Sequence, residues 1–509
     1  MRKPRLRLLT ALGVASLALA PSAHLASPAG AGTPRVLLVG TFKGVTGAFA
    51  TIQAAVDSAQ PGDWVLVGPG HYHENGSEPA GVLITKPGVH LRGMDRNLVV
   101  VDGRLASATA SCGPSPQDQS LSPAGRNGIE VSKADGVSIE NLTVCNFLSS
   151  VDGHRGNQVW WNGGDGSGLI GMGPWSGSYL TATSTYFQDS ASPMAQYGLF
   201  VSNAKGPGTL TNSYASNMGD SAYYVGACPD CNAVLDHVHA QHSALGFSGT
   251  NAGGHLRIQN SEWDGNRTGI VPNSLNNDDA PSPQNGACPS TPATSCTVIT
   301  GNNVHDNNDP NVPAFGIAAA GPVGAGIEIS GGQNDTVVDN TVDHQGSWGV
   351  VINDFPDTST PPPVANCKGG IQLPGVCEFQ AFGNEVAGNQ LSGNGFFGNP
   401  TNGDLAAATS LHNPGNCFHD NVDAAGLTSD PPAIETVMGK PCGRPNAGDT
   451  GPLAAELTCA SEVFGQCPDA PGARYPRTTT VTMLRLPLDL PSMPDPCLGV
   501  PQNPWCPVP

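Results

Sequence analysis

Three features of the sequence predict an all-β fold, a right-handed, single-stranded parallel β-helix with a helix at its N-terminal end. Similar segments recur at a fixed interval, the chain contains 66 Gly residues, and short apolar runs are separated by Asn and Gly. Repeats of fixed period indicate stacked structural units, and Gly and Asn favour the tight turns that link short strands. A solenoid of coils around one long core accounts for all three features.

The clearest repeat starts each unit with Gly and an apolar residue. Gly246 and Gly269 lie 23 positions apart (269 − 246), as do Gly326 and Gly349 (349 − 326). A second segment of each unit carries Asn or Asp before an apolar residue, as at Asn340. Because one short strand cannot bury its apolar face alone, we expect each unit to stack on the next, with recurrent Asn side chains forming a hydrogen-bonded ladder.

The first 31 residues have the layout of a secretory signal peptide. A basic start is followed by the apolar run from Leu8 to Ala20 and by small residues that offer cleavage sites. This run is shorter than the roughly 20 residues that a membrane span needs, and we expect no membrane span elsewhere. We therefore predict a secreted protein with a signal peptide over 1–31, a β-helix over 45–425 and a Pro- and Cys-rich tail over 426–509. The tail is interpreted as an extended segment lying along the coils, with a disordered linker as the alternative.

The 14 Cys residues all follow the predicted signal peptide and form close pairs in chain order. Short-range disulfides in an oxidising compartment would explain this spacing, although the sequence leaves the pairing open. Cys228 and Cys231 could instead supply half of a metal site, but no second Cys-x-x-Cys motif completes four ligands.

The net charge is −19 at pH 7. Binding to nucleic acid is driven by clustered Lys and Arg. We therefore expect no nucleic-acid partner.

An amphipathic segment precedes the first long strand. Ile52, Ala55, Val56 and Ala59 fall on one helical face. We interpret this segment as a cap helix, because the open strand edge of a first coil would otherwise invite aggregation.

The residues around this helix carry a family resemblance. Residues 51–57 read TIQAAVD, residues 61–63 read PGD and residues 65–67 read VLV, followed by Tyr72 and Glu74. They resemble the opening of pectin-lyase-like β-helix proteins, a superfamily of pectate lyases, pectin methylesterases, polygalacturonases, alginate epimerases and secreted proteins without an assigned activity. The resemblance extends over residues 45–425. It implies the fold, whereas a shared fold does not name the chemistry.

The resemblance also implies that an active site would lie on an exposed sheet face, in a groove walled by long loops. Two insertions interrupt the repeat, one from Val271 to Cys296 and one from Phe355 to Cys377. Long loops on a rigid scaffold commonly carry function, but loops also tolerate insertion, so their length alone does not decide.

The densest cluster of titratable residues precedes the first insertion. The 23-residue period places Glu262 beside His239 (239 + 23) and Asp264 beside Gln241 (241 + 23), on strands about 4.8 Å apart. A carboxylate beside an outward-facing His raises the pKa of the imidazole and gives an acid/base pair. We predict that His239, Glu262 and Asp264, here called the histidine patch, are catalytic. The plainer interpretation is that outward residues of a β-helix are polar because they are solvated.

Other residues are predicted to bind substrate. Arg267, Asp278 and Asp279 could complete a site for an anionic sugar, and Tyr223 and Tyr224 could stack on sugar rings if they face outward. Asp- and Asn-rich loops could hold Ca²⁺, the one cofactor that the sequence suggests.

Two acidic residues, Glu130 and Glu328, stand alone among apolar neighbours. We interpret both as part of a solvated face. Neither is predicted to be functional.

The motifs of the characterised families are missing. The sequence lacks the Asp-Pro-His-Asp string of alginate epimerases, the nucleophile segment of pectin methylesterases and the paired Asp motifs of polygalacturonases. The prediction is therefore a monomeric secreted protein acting on or binding an acidic or neutral polysaccharide, as a lyase or a glycoside hydrolase. The alternative is a non-catalytic extracellular protein that binds glycans or a protein partner.

Overall fold

The computed structural model describes residues 33–76, 79–108, 110–188, 193–276, 296–358, 367–411, 414–442, 451–461, 467, 470 and 472–507. The chain from Arg35 onward forms one compact unit. The predicted signal peptide lies outside the described residues.

Short strands pair in parallel with the equivalent strands of the neighbouring coils and form three long sheets. We call them the first, second and third sheet, in the order in which a coil enters them. Parallel crossover connections are almost always right-handed. The fold is the predicted right-handed parallel β-helix.

Within the described residues, the first sheet has 12 strands, in chain order Val36–Val39, Trp64–Val67, His90–Gly93, Val137–Glu140, Trp175–Ser178, Gly208–Thr211, Ala233–Asp236, Leu256–Gln259, Thr297–Thr300, Thr336–Val338, Glu385–Ala387 and Cys417–His419. The second has 10 strands in the same described part of the chain, Gly70–Tyr72, Val99–Asp102, Thr143–Cys145, Thr181–Thr183, Tyr214–Ser216, His239–Gln241, Glu262–Asp264, Asn303–His305, Thr341–Asp343 and Gln390–Ser392.

The third sheet has 11 strands among the residues described, Ala80–Ile84, Asn127–Ser132, Val159–Asn162, Tyr197–Ser202, Ser221–Gly226, Leu245–Ser248, Thr268–Val271, Ala325–Ser330, Trp348–Asn353, Gly403–Ala408 and Ser429–Asp430. Outside these sheets lie the antiparallel strands Thr41–Phe42, Val45–Thr46, Phe355–Asp357, Ile371–Leu373 and Val376–Phe379, the α-helices Ile52–Ser58, Ile434–Val437 and Pro452–Ala460, and the 3₁₀ helices Pro116–Asp118 and Gly316–Ala320.

The core runs along the inside of the coils. On the third sheet, inward residues in register form one buried column: Val82, Ile129, Val159, Leu199, Tyr223, Phe247, Ile270, Ile327, Val350 and Leu405. Since side chains alternate between the two faces of a strand, their sequence neighbours form a second column on the outer face. That outer column builds the site described below.

The predicted Asn ladder is present at a turn between the first and second sheets. The side-chain amide of Asn302 donates to Asn340 at 2.9 Å, Asn340 donates to Asn389 at 3.0 Å, and Asn389 donates to Asn421 at 2.8 Å. Glu435 accepts from Asn421 at 2.9 Å and ends the row. Each buried amide is thereby satisfied by its equivalents on neighbouring coils.

The helix Ile52–Ser58 forms where the amphipathic pattern predicts a helix. Thr51 caps its N-terminus, Glu74 accepts from the backbone N–H groups of Ile52 and Gln53 at 2.6 and 3.1 Å, and Val56 is buried in the main core. Its role as a cap on the stack stays a prediction. The first parallel strand begins at Val36, earlier than the predicted residue 45.

Within the described residues, six disulfides join Cys residues that are neighbours in the Cys order: Cys112–Cys145, Cys228–Cys231, Cys367–Cys377, Cys417–Cys442, Cys459–Cys467 and Cys497–Cys506. The alternative of a half metal site at Cys228 and Cys231 is wrong, because the two sulfur atoms are bonded to each other. Cys288 lies outside the described residues.

The last described segment, 472–507, runs back along the coils towards the N-terminal end. Thr482 bonds to Asn311, Leu484 to Asn217 and Ser492 to Asn141, so each step towards the C-terminus meets an earlier coil. The indole of Trp505 finally donates to the backbone oxygen of Val45 at 2.9 Å. In the part of the chain that is described, no helix has the length and apolar character needed to cross a membrane.

Candidate functional site

The histidine patch lies on the outer face of the second sheet in the predicted register. His239 is paired with Glu262, and Gln241 is paired with Asp264. The Nε2 atom of His239 lies 2.5 Å from Oδ1 of Asp264, and its Nδ1 atom lies 4.0 Å from Oε2 of Glu262. The register predicted from the 23-residue period is confirmed, and the three side chains of the patch lie close together.

The patch is electrostatically coupled. Burial raises the pKa of Asp264, but hydrogen bonds from His239 and Gln241 and the charge of His239 outweigh it and hold the pKa below its usual range. Burial lowers the pKa of His305, whereas contacts with Asp306 and Glu262 raise it above the usual value overall. These interactions favour the charged form of Asp264 and the protonated form of His305.

Ligand atoms of His239, Glu262 and Asp264 lie within 4.8 Å of one another, a donor set that a divalent cation could use. Two other clusters combine one possible ligand with a Cys pair: Asp102 with Cys112 and Cys145, and His419 with Cys417 and Cys442. In both clusters the two sulfur atoms are bonded to each other in a disulfide. Among the described residues, none of the three patch residues lines either of the two clefts described below.

Two of the predicted substrate-binding residues are buried. Arg267 is 1% exposed and donates to the backbone oxygens of Gly321 and Ala460. Tyr223 is in the inward column, and its hydroxyl donates to the backbone oxygen of His239 at 3.3 Å. The prediction that Arg267 and Tyr223 contact substrate is wrong, because both side chains serve packing.

Asp278 and Asp279 lie outside the described residues. Tyr224 faces outward on the third sheet and lines a large cleft. Sugar binding by Tyr224 stays a prediction.

This cleft, here called the main cleft, has a volume of about 890 Å³ and lies over the outer face of the third sheet. Both predicted insertions contribute to it, through Val271 to Leu275 and through Phe355 and Pro356. The 3₁₀ helix Gly316–Ala320 and the helix Pro452–Ala460 form other walls. The two insertions predicted from the sequence thus line the main cleft on the third sheet. The predicted catalytic residues, those of the histidine patch, lie on the second sheet.

The floor follows one outward column of the third sheet. In register from coil to coil, this column contains Glu130, Trp160, Phe200, Tyr224, Ser248, Val271 and Glu328. The last five line the main cleft, whereas Glu130 and Trp160 do not. Because Ile270 pairs with Ile327, Glu328 lies one position further along its strand, beside Val271. Equivalent outward positions on successive strands thus carry aromatic side chains at Trp160, Phe200 and Tyr224 and the carboxyl group of Glu328.

Glu328 is 5% exposed at the floor of the main cleft. Burial raises its pKa to about 7, and hydrogen bonds from Asn353 and Ser330 only partly oppose this rise. The interpretation of Glu328 as a solvated residue is therefore wrong. Glu130 is also buried, where it accepts from Asn127 at 2.8 Å and from Asn162 at 3.0 Å.

Two further carboxyl groups meet at one end of the main cleft. Asp354 accepts from the backbone N–H groups of Ser410 at 2.5 Å and Ala381 at 2.8 Å, and the Ser410 hydroxyl donates to Glu378 at 2.6 Å. Burial raises the pKa of Asp354, with a smaller contribution from the charge of Glu378. Ser410 therefore holds two carboxylates near each other.

Asp220 lines another wall of the main cleft. Burial raises its pKa to about 6, against hydrogen bonds from Ser221 at 2.6 Å and Tyr197 at 2.8 Å. Carboxyl groups with raised pKa values in a cleft are typical of acid/base sites. From sequence, the only available signal for Glu328 was an acidic residue at an outward position between the two insertions.

Aromatic side chains continue from the main cleft into a second one. Trp160 and Phe200 stack with ring centroids 5.0 Å apart and planes 9° from parallel, and Tyr197 stacks on Phe200 at 4.3 Å. We call Trp160, Tyr197, Phe200 and Tyr224 the aromatic ladder. Trp160 lines a distal cleft of about 750 Å³, and Tyr197 and Phe200 line both clefts.

No family model and no curated protein matches the chain. Among solved structures, the A-module of mannuronan C-5 epimerase AlgE4 from Azotobacter vinelandii is similar with 14% identity over 73% of this chain and 89% of that chain, at a TM-score of 0.43. An alginate lyase from Paenibacillus sp. str. FPU-7 is similar with 15% identity over 73% and 97% of the two chains, at a TM-score of 0.36.

A pectin methylesterase solved with a hexasaccharide shares 14% identity over 64% of this chain and 83% of that chain, at a TM-score of 0.32. Similarities at this level assign neither a function nor a site. The three parallel sheets themselves show the fold, a parallel β-helix.

Proposed function

We propose that the protein is a secreted enzyme that hydrolyses a polysaccharide bound in the main cleft. The observation that carries the proposal is Glu328, a carboxyl group at the cleft floor whose pKa is raised to about 7 and which lies in register with the aromatic ladder. Glycoside hydrolysis uses a protonated carboxylic acid together with a second carboxylate.

In the proposed reaction, Glu328 donates its proton to the glycosidic oxygen as the bond from that oxygen to the anomeric carbon breaks. A water molecule attacks the anomeric carbon, and the carboxylate of Asp354 takes its proton. The products are a new reducing end and a free sugar hydroxyl. Asn353 links the two groups, because it donates to Glu328 and directly precedes Asp354.

Hydrolysis is favoured over the lyase alternative. Eliminating a leaving group beside a uronate builds up negative charge, which basic side chains, hydrogen-bond donors or a bound cation stabilise. The described residues that line the main cleft include Asp220, Glu328, Asp354 and Glu378 and no Lys, Arg or His. The cleft is therefore suited to protonating a leaving group.

The test is a screen of the purified mature protein against neutral and acidic polysaccharides, with reducing ends and unsaturated products measured separately. We expect new reducing ends without unsaturated products, and a loss of at least about 100-fold in Glu328→Gln. Glu130→Gln is the matched control, because Glu130 occupies the same outward column but lines neither cleft among the described residues. Binding without turnover would instead favour the non-catalytic glycan-binding protein.

The histidine patch supports a second candidate, acid/base catalysis by His239 with Glu262 and Asp264. The specific observation is the 2.5 Å contact between His239 and Asp264. Turnover that is lost in His239→Ala and retained in Glu328→Gln would assign catalysis to the patch and reject the main cleft.

Secretion is part of the proposal and is supported by the signal-like layout of residues 1–31 and by the six disulfides. Mass spectrometry of the exported protein would locate the cleavage site. An uncleaved N-terminus in the cell interior would contradict it.

A further inference from the structure

The charge of the main cleft restricts what can enter it. Its described lining contains the four acidic residues Asp220, Glu328, Asp354 and Glu378, with no basic side chain among them. Because like charges in a cleft with low-dielectric walls repel strongly, a polyanion would be disfavoured here.

Several buried polar atoms at the two clefts have no hydrogen-bond partner within the described protein. Asn273 Oδ1, Asn353 Oδ1 and Ser461 Oγ belong to residues that line the main cleft, and Asn157 Oδ1 and Gln196 Nε2 belong to residues that line the distal cleft. A buried polar atom left without a partner is costly. Sugar hydroxyl groups both donate and accept, so one ligand could satisfy carbonyl, hydroxyl and amide atoms alike.

The aromatic ladder connects these two sets of atoms. Tyr197 and Phe200 line both clefts, and Trp160 extends the aromatic surface into the distal one. Trp160, Phe200 and Tyr224 lie on successive coils about 4.8 Å apart, so the ladder follows the axis of the stack. Tyr197 is on the same strand as Phe200. Flat apolar rings of this kind stack on the C–H faces of sugars without requiring charge.

We propose that a neutral polysaccharide binds along the third sheet, with its cleaved linkage in the main cleft and further sugar units stacked on the aromatic ladder into the distal cleft. This proposal rests on the proposed function for the position of the cleaved linkage. The polymer is recognised by hydroxyl groups and ring faces and not by carboxylates. Trp160 is a binding residue remote from Glu328.

The test measures binding of the inactive variant Glu328→Gln to soluble β-glucan, xylan and galactomannan, and to polygalacturonate and alginate. Affinity gel electrophoresis is run with EDTA and with added Ca²⁺. We expect at least one neutral polymer to bind equally well under both conditions, and neither uronate polymer to bind. Adding Trp160→Ala should weaken binding about tenfold.

Phe396→Ala is the matched control, because Phe396 is 57% exposed and lines neither cleft among the described residues. The proposal is overturned if no neutral polymer binds, if uronate polymers bind better or require Ca²⁺, or if Trp160→Ala has no larger effect than the control. Neutral binding without hydrolysis by the unmodified protein keeps this proposal and rejects the hydrolase. Hydrolysis of a uronate polymer would reject binding of a neutral polymer and keep the proposed hydrolase.

Discussion

His239 and Asp264 lie on neighbouring strands of the second sheet, with Nε2 of the imidazole 2.5 Å from Oδ1 of the carboxylate. The folded pKa of Asp264 is lowered, so its ionised form is stabilised more in the folded than in the unfolded state. This contribution is present above the unfolded pKa and is lost as the pH falls through the folded pKa.

We therefore expect Asp264→Asn to lower the free energy of unfolding by about 1 kcal/mol at neutral pH and by less in acid. Urea unfolding at both pH values measures the difference. Asp230→Asn is the control, because its pair with His255 is exposed. An equal loss at both pH values would show that the charge of Asp264 contributes nothing.

Glu328 has the opposite pH dependence. Its folded pKa of about 7 lies above the ordinary value of 4.5 for Glu. The folded state therefore binds more protons between these two values, and stability falls as the pH rises through this window. Glu328→Gln should be more stable than the unmodified protein above about pH 7, by up to about 3 kcal/mol. Thermal unfolding across this range would contradict the prediction if the two proteins respond to pH alike.

Activity should also depend on the protonation of Glu328. As a general acid, it must carry its proton, so kcat/KM should fall as the pH rises through about 7. A pH–rate profile on a neutral polymer measures this descending limb. A rate that keeps rising above this pH would assign the proton donor elsewhere.

The Asn ladder gives a prediction that is independent of function. Asn340 donates to Asn389, accepts from Asn302 and also bonds to the backbone oxygen of Ile299. Asn340→Ala leaves these buried partners unsatisfied and should cost about 2–3 kcal/mol of unfolding free energy. Asn75→Ala, at an exposed position, should change it by less than about 0.5 kcal/mol.

Trp505 should stabilise the opposite end of the chain. It is fully buried against Leu66 and Met94, so Trp505→Ala should cost about 3 kcal/mol or more. Hydrogen exchange should rise first in the strands Val36–Val39 and Trp64–Val67, which the Trp505 cluster covers. Leu498→Ala, at a side chain 73% exposed, is the control and should leave this exchange unchanged.

The features of the fold that depend on the repeat could be predicted from the sequence. The register of His239 with Glu262 and the Asn ladder follow from a constant repeat, because a shift of one residue would turn every side chain to the opposite face. The acidic character of the groove was not predicted. Glu328 reads as an isolated outward residue in the sequence. One wall of the cleft around it is the helix Pro452–Ala460, which comes more than a hundred residues later (452 − 328) and leaves no signal near Glu328.

Arg267 is a second residue whose surroundings could not be predicted from the sequence. Its charge and its position near the histidine patch predicted a ligand-binding residue, whereas the carbonyl group of Ala460 on that distant helix is one of its acceptors. Contacts between segments far apart in the chain do not follow the repeat and therefore cannot be predicted from it. Such contacts determine whether a polar residue like Arg267 is buried.

The return of segment 472–507 along the coils has a consequence for the order of assembly. The strand Val36–Val39 is made more than 450 residues before Trp505 (505 − 39), which covers that end of the stack. The first coil therefore stays uncovered until Trp505 has been made. A chain that stops before Trp505 keeps its first coil accessible to proteases.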